Sequence, residues 1–199
     1  SAVSISARSM RPAPVNAVIE SLRCFTSLSM MPMTAVSSSL TRSSTSFCLH
    51  AASSISSGAG LTLDNSGGTV GNITVNNGLT VPGNLLIQSA NTATVGGNVS
   101  VTGAGSTYTV TAKDVNITGT AAQTQTATGG IFITANGAGG VAALGGGISL
   151  RSTTGNVSVS STGGSVAAAT GGQVRSDTGS VSFTAATTAT VNKAVSAGT

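Results

Sequence analysis

The chain has 199 residues, of which only 6 % are charged and 3 % aromatic, with 27 glycines, no Trp, one Tyr and a net charge of +4. An ordinary globular domain carries about a quarter charged residues, and a core this poor in aromatics must be narrow and filled by Val, Ile, Leu and Ala. The positive charge is scattered: residues 1–57 hold four arginines against Glu20, and residues 58–199 hold Lys113, Arg151, Arg175 and Lys193 against Asp64, Asp114 and Asp177, which argues against a phosphate-tracking nucleic-acid surface.

Two kinds of sequence meet between Ser57 and Gly58. No glycine precedes the break, all four methionines do, and serine makes up 17 of the first 57 residues. Segment 1–57 is Ser-rich, Arg-bearing and acid-poor, which suits an organellar transit peptide better than a secretory signal. Its most apolar part, 25–36, is interrupted by Ser27, Ser29, Pro32 and Thr34, so no run approaches the ~18 apolar residues of a membrane span. The expectation for 1–57 is a low-complexity segment, disordered or weakly helical around 15–25 and 33–40. Cys24 and Cys48 lie in it, and the sequence leaves their pairing open.

From Gly58 onward the chain reads strand, turn, strand. The clearest unit is Gly155-Asn156-Val157-Ser158-Val159, with near-copies at 71–75 and 97–101 and variants at 83–87, 114–118 and 179–183. Each unit places a turn residue before alternating apolar and small polar side chains, which is the pattern of a short, half-buried strand. Candidate strands are 61–63, 72–75, 79–81, 85–88, 92–95, 98–102, 107–111, 115–118, 131–134, 148–151, 156–160, 165–168, 173–176, 181–184 and 188–191. An antiparallel sandwich accepts such strands, but it calls for aromatics between its sheets and has no need of near-identical strands. A parallel β-helix requires them. The predicted fold of 58–199 is therefore an all-β parallel β-helix, or β-solenoid, of about six or seven coils with roughly 18–25 residues each. The alternation assigns Val75, Val99, Val101, Ile117, Ile133, Val157, Val159, Val166, Val174 and Val181 to the repeat core. It assigns Asn72, Asn98, Asn116 and Asn156 to coil corners, where a short amide tolerates left-handed backbone and can bond to the next coil.

The Gly-Asn-[Val/Ile]-[Ser/Thr]-Val units, Gly-Gly turns and Thr/Ser-rich strands of 58–199 resemble the shaft repeats of filamentous-haemagglutinin-type adhesins and autotransporter passengers. The resemblance implies a secreted bacterial surface fibre, extracellular or on the cell surface. Segment 1–57 does not resemble the secretion domain of those families.

Motifs that would carry other chemistry fail on their context. The four Asn-x-Ser/Thr sequons at Asn72, Asn98, Asn116 and Asn156 fall at what reads as one position of the repeat, so the repeat itself explains them better than glycosylation does. Gly137-Ala138-Gly139-Gly140-Val141-Ala142 matches a dinucleotide fingerprint, but Gly145-Gly146-Gly147 follows where the phosphate-binding helix should run. Asp64, Asp114 and Asp177 are spread two to three coils apart, farther than the ~5–9.5 Å that a catalytic carboxylate pair needs. The only histidine, His50, is outside the repeats, and no cluster suits a metal. The expectation is a structural or adhesive shaft that is not an enzyme and takes no cofactor. Its partners would be a host-cell or surface receptor, glycan or protein, and its own ends in end-to-end self-association. A glycan- or ice-binding face built on Thr92/Thr94, Thr107/Thr109, Thr124/Thr126 and Thr188/Thr190 is one alternative. A polysaccharide-acting β-helix enzyme fragment lacking its active site is another.

Overall fold

The computed structural model describes residues 60–67, 71–76, 78–119 and 122–198, together with the backbone of four short strands nearer the N-terminus. Among the described residues there is no helix. The fold is a parallel β-solenoid with three faces, each a continuous parallel sheet running along the axis. Six rungs of three strands follow one another. The first is Leu61–Asn65, Ile73–Val75 and Leu79–Val81; the second Leu85–Ser89, Thr92–Val95 and Val99–Val101; the third Tyr108–Ala112, Asp114–Ile117 and Gln123–Ala127. The fourth is Ile131–Ala135, Val141–Leu144 and Ile148–Ser152; the fifth Val157–Ser161, Ser165–Ala168 and Gln173–Ser176; the sixth Val181–Ala185, Ala189–Val191 and Ala194–Ala197. Leu61, Leu85, Tyr108, Ile131, Val157 and Val181 form one column, so five successive turns take 24, 23, 23, 26 and 24 residues.

Strand alternation produces this arrangement. In Leu85–Ser89 and Val157–Ser161 every second residue is buried and the residues between are part-exposed. Three such strands per turn aim their buried positions at a common axis, and each rung closes on the next through the ladder of backbone hydrogen bonds. The buried hydrophobic residues are Leu, Ile, Val and Ala, with Tyr108 the one aromatic among the fully buried side chains described. Burial of each Val, Leu or Ile contributes about 1.5–3 kcal/mol, and small side chains let the three sheets approach closely.

Four backbone strands extend the ladder toward the N-terminus. Val15–Val18 pairs with Ser38–Thr41, which pairs with Leu61–Asn65; Phe47–Leu49 pairs with Ile73–Val75, and Ile55–Ser56 with Leu79–Val81. At Val15–Val18 and Ser38–Thr41 the backbone is strand where weak helix was expected. The rest of the expectation for 1–57, and Cys24 with it, lies outside the described residues.

Three strands go beyond those anticipated: Gln123–Ala127, Val141–Leu144 and Ala194–Ala197. The Gly-rich stretch 137–142 is thus a turn, with Gly139 at φ 69°, that leads into a strand.

Candidate functional site

The corners explain the repeated asparagines. A residue just ahead of a strand turns its side-chain oxygen along the axis and accepts the backbone N–H at the equivalent position of the next rung. Asn72 Oδ1 takes Thr92 N at 3.0 Å and also the Asn91 side-chain amide at 3.0 Å. Asn84 takes Thr107 N at 2.9 Å, Asn98 takes Thr124 N at 3.0 Å, and Asn156 takes Ser180 N at 2.9 Å. Strand pairing has ended at these points, so the amide would otherwise lack a partner.

Asn116 is the exception and corrects the corner assignment. It lies inside Asp114–Ile117, paired between Thr94 and Ala143, and points outward between buried Val115 and Ile117. In that rung Asp114 holds the corner, its carboxylate accepting Val141 N at 2.9 Å. The four sequons therefore do not share one position. The unit 114–118 is shifted by one residue, because Asp114 fills the slot that Asn72 fills at 71–75.

Buried serines close other corners. Ser161 Oγ donates to Gly140 O at 2.7 Å and accepts Gly164 N at 2.9 Å. Ser176 does the same between Gly155 O (2.7 Å) and Gly179 N (2.8 Å). Gly155 and Gly179 stack so tightly that a Cβ on Gly179 would lie 2.7 Å from Gly155 O.

Of the residues assigned to the core, Val75, Val99, Val101, Ile117, Ile133, Val157, Val159, Val166 and Val174 are buried. Val181, in the sixth rung, is part-buried and packs against the core from one side.

What a partner meets is the outward rows. On the first face one row runs Thr62, Leu86, Thr109, Phe132, Ser158, Ser182, and the other runs Asp64, Gln88, Thr111, Thr134, Ser160, Thr184. Neighbours in a row are about 4.8 Å apart. Ser160 and Thr134 hydroxyls bond across rungs at 3.2 Å. Phe132 is 37 % exposed at the centre of this surface. Its ring folds back over Gly130, where a Cβ would lie 2.6 Å from the ring edge. Phe132 was legible in the sequence as an aromatic at an outward position of a strand. The four Thr-x-Thr pairs do not share a face: Thr92/Thr94 and Thr188/Thr190 lie on the second, Thr107/Thr109 on the first and Thr124/Thr126 on the third.

The third face carries a charged cluster. Arg151 and Arg175, one turn apart, are register neighbours. Like charges at strand spacing repel, and Asp177 offsets this by binding both. Asp177 Oδ2 accepts from Arg151 Nη2 at 2.6 Å and Nε at 3.0 Å, and Oδ1 accepts from Arg175 Nε at 2.5 Å. The arginine side chains are 51 % and 48 % exposed. The Arg151 hydrogen bonds above all, then Arg175, hold the Asp177 carboxyl below its ordinary 3.8. The second face bears a shallow apolar groove of about 380 Å³ over Ala143, Ala167 and Thr190, where small outward side chains leave the surface low.

The three carboxylates of the repeat region fall on different rungs and different parts of the surface: Asp64 on the first face of rung one, Asp114 at the second face of rung three, Asp177 beyond the third face of rung five. Among the described residues no three His, Cys, Asp or Glu side chains come together, and no helix is long and apolar enough to cross a membrane. Comparison with protein-family models, with curated proteins and with solved structures gives no match to this chain.

Proposed function

We propose that residues 58–199 serve as a non-catalytic, structural and adhesive shaft of a secreted bacterial surface protein. The observation that carries this reading is the first face, a flat surface of stacked hydroxyls with an exposed aromatic ring, held by a core that each rung repeats. Affinity in such a surface comes from rows of side chains at fixed spacing, and no chemistry is asked of them. The resemblance of the repeats to adhesin shafts supports the same reading. A host-cell or surface receptor would meet the first face at Phe132 and the third at Arg151 and Arg175.

The test is adhesion of beads coated with the full chain to epithelial cells, compared with beads carrying Phe132→Ser or Arg151→Ala/Arg175→Ala. Loss of adhesion in either variant, with the far-UV β signal retained, supports the shaft as a binding surface. Equal adhesion of wild type and both variants removes it. Release of reducing sugar from any polysaccharide would instead favour the enzyme.

Phe132 favours a second reading, a glycan-binding module. An aromatic face stacks on the apolar face of a sugar ring while the flanking Thr109, Thr134 and Ser158 hydroxyls bond its edges. Neutral oligosaccharides that compete the beads off cells, with no effect on Phe132→Ser beads, would single it out. End-to-end association belongs to the same proposal. In rung six Val195 is 47 % exposed and Val181 and Phe183 are only part-buried, so its outer strand edges would accept a further rung, of this chain or of another copy. Sedimentation that rises with concentration is the expected result, and a monomer at high concentration would oppose it.

A further inference from the structure

The corner between the second and third faces changes width from rung to rung. The second-face column is Val95, Ile117, Leu144, Ala168, Val191, and the third-face column is Val99, Gln125, Leu150, Val174, Val195. Three residues connect them in rungs two and six, five in rungs four and five, and seven in rung three. A wide corner stacked beside a narrow one leaves inward carbonyls that no backbone N–H of the next rung can reach.

Side chains fill the mismatch on both sides. From rung three, Gln123 Nε2 donates to Gly96 O at 2.7 Å and Gln125 Nε2 to Gly97 O at 2.6 Å. From rung six, Lys193 turns inward and is only 8 % exposed. Its Nζ donates to Gly145 O and Ile148 O, both at 3.0 Å, and to Gly171 O. The path is open because Gly172, directly below Lys193 in register, has no side chain; a Cβ there would lie 2.1 Å from Ile148 O. Among the described residues no carboxylate accompanies this ammonium. Asp114 is engaged by Val141 N and Asp177 by the two arginines. The charge is therefore met by backbone carbonyl oxygens alone, as the charge of a bare monovalent cation is met in a carbonyl-lined filter. Two more oxygens at the same corner, Gln123 Oε1 and Gln125 Oε1, are buried without a donor.

We propose that this corner is an interior binding site for a monovalent cation, and that Lys193 occupies it from within the chain. Among the described residues the groups that meet Lys193 Nζ are neutral carbonyl oxygens. That favours potassium or ammonium over divalent ions, which hold to carboxylates. Gly145, Ile148 and Gly171 supply the oxygens of the part that Lys193 fills.

The experiment is thermal unfolding of the full chain and of Lys193→Ala, which vacates the site, followed by far-UV circular dichroism in potassium, ammonium or choline chloride at equal ionic strength. In choline the variant should unfold roughly 5–10 °C below wild type, because the Gly145, Ile148 and Gly171 carbonyls lose the ammonium donor and the Ile148 carbonyl is buried. Potassium or ammonium should restore at least half of that loss, while the wild type is indifferent to the cation. Equal loss in all three salts would overturn the proposal and leave Lys193 as a hydrogen-bonding staple only. No loss at all would overturn it too. Should rung six melt in Lys193→Ala, hydrogen exchange at 148–152 and 173–176 separates the same two outcomes. Protection by potassium upholds the site, and salt-independent exchange refutes it.

Discussion

Tyr108→Phe should make the protein more stable. The Tyr108 side chain is fully buried in the column between Leu85 and Ile131, and its hydroxyl has no hydrogen-bond partner. A buried, unsatisfied polar group costs about 1–3 kcal/mol, and Phe keeps the ring and its packing. The expected gain is about 1–2 kcal/mol, a rise in midpoint of roughly 3–6 °C for a chain of this size. Titration supplies a second reading. Burial pushes the Tyr108 phenol far above its ordinary 10.0. A folded-state value raised above the unfolded one gives stability that is intact below pH 10 and lost as pH climbs past it, since only the unfolded chain ionises there. The stability advantage of Tyr108→Phe should therefore widen above pH 10. The chain has one Tyr and no Trp, so the phenolate absorbance of the wild type reports this residue alone. Thermal and urea unfolding by circular dichroism measure the gain. A destabilisation of more than about 1 kcal/mol would show that the hydroxyl has a partner, such as an interior water, and would refute the reasoning.

Val159→Asp buries an unpaired carboxylate and should cost several kcal/mol, whereas Ser158→Asp, on the outward row, should be nearly silent; equal effects in urea titrations would mean the alternation is misassigned. Asn72→Ala removes the acceptor for both Thr92 N and the Asn91 amide, and should lower unfolding free energy by about 1–2 kcal/mol. For Asp177, a depressed carboxyl contributes stability that is present above the unfolded value and lost as pH falls through the lower folded one. Asp177→Asn should thus be less stable than wild type at neutral pH and converge with it in acid, and carboxyl chemical shifts should show the Asp177 titration moving up when Arg151 is removed, with Arg175 still holding it down in part. Convergence that occurs already near pH 5 would argue against the arginine contacts.

The solenoid was legible because its cause is local. Each unit such as 155–159 states a turn and an inward alternation, and stacking needs nothing more. What escaped has physical reasons. Gln123–Ala127 buries Gln125 where the neighbouring rungs bury Leu79, Val99, Leu150 and Val174, so its central inward position carries no apolar signal. Val141–Leu144 follows directly on a Gly-rich turn, and Ala194–Ala197 is made of small residues exposed in the sixth rung. Asn116 misled because Asp114 can do the work of an asparagine at a corner, which displaced the apparent corner by two residues and kept the same side chains inward. The surface was harder still. The partnership of Arg151, Arg175 and Asp177 depends on turn length, and only the 24- to 26-residue spacing of that part of the chain brings them together.

The unequal corner between Val95 and Val99, Ile117 and Gln125, and their successors has a consequence for how such a chain can change. The same two columns stay aligned whether three, five or seven residues join them. Insertions and deletions at this edge leave the ladder undisturbed, while a single-residue slip inside a strand would turn its buried row to water. Closing a somewhat longer loop costs only a few tenths of a kcal/mol more. The other two corners vary in the same way, so the edges of the rod are free to acquire new sequence, and by extension new recognition loops, while the strand positions stay bound to their spacing.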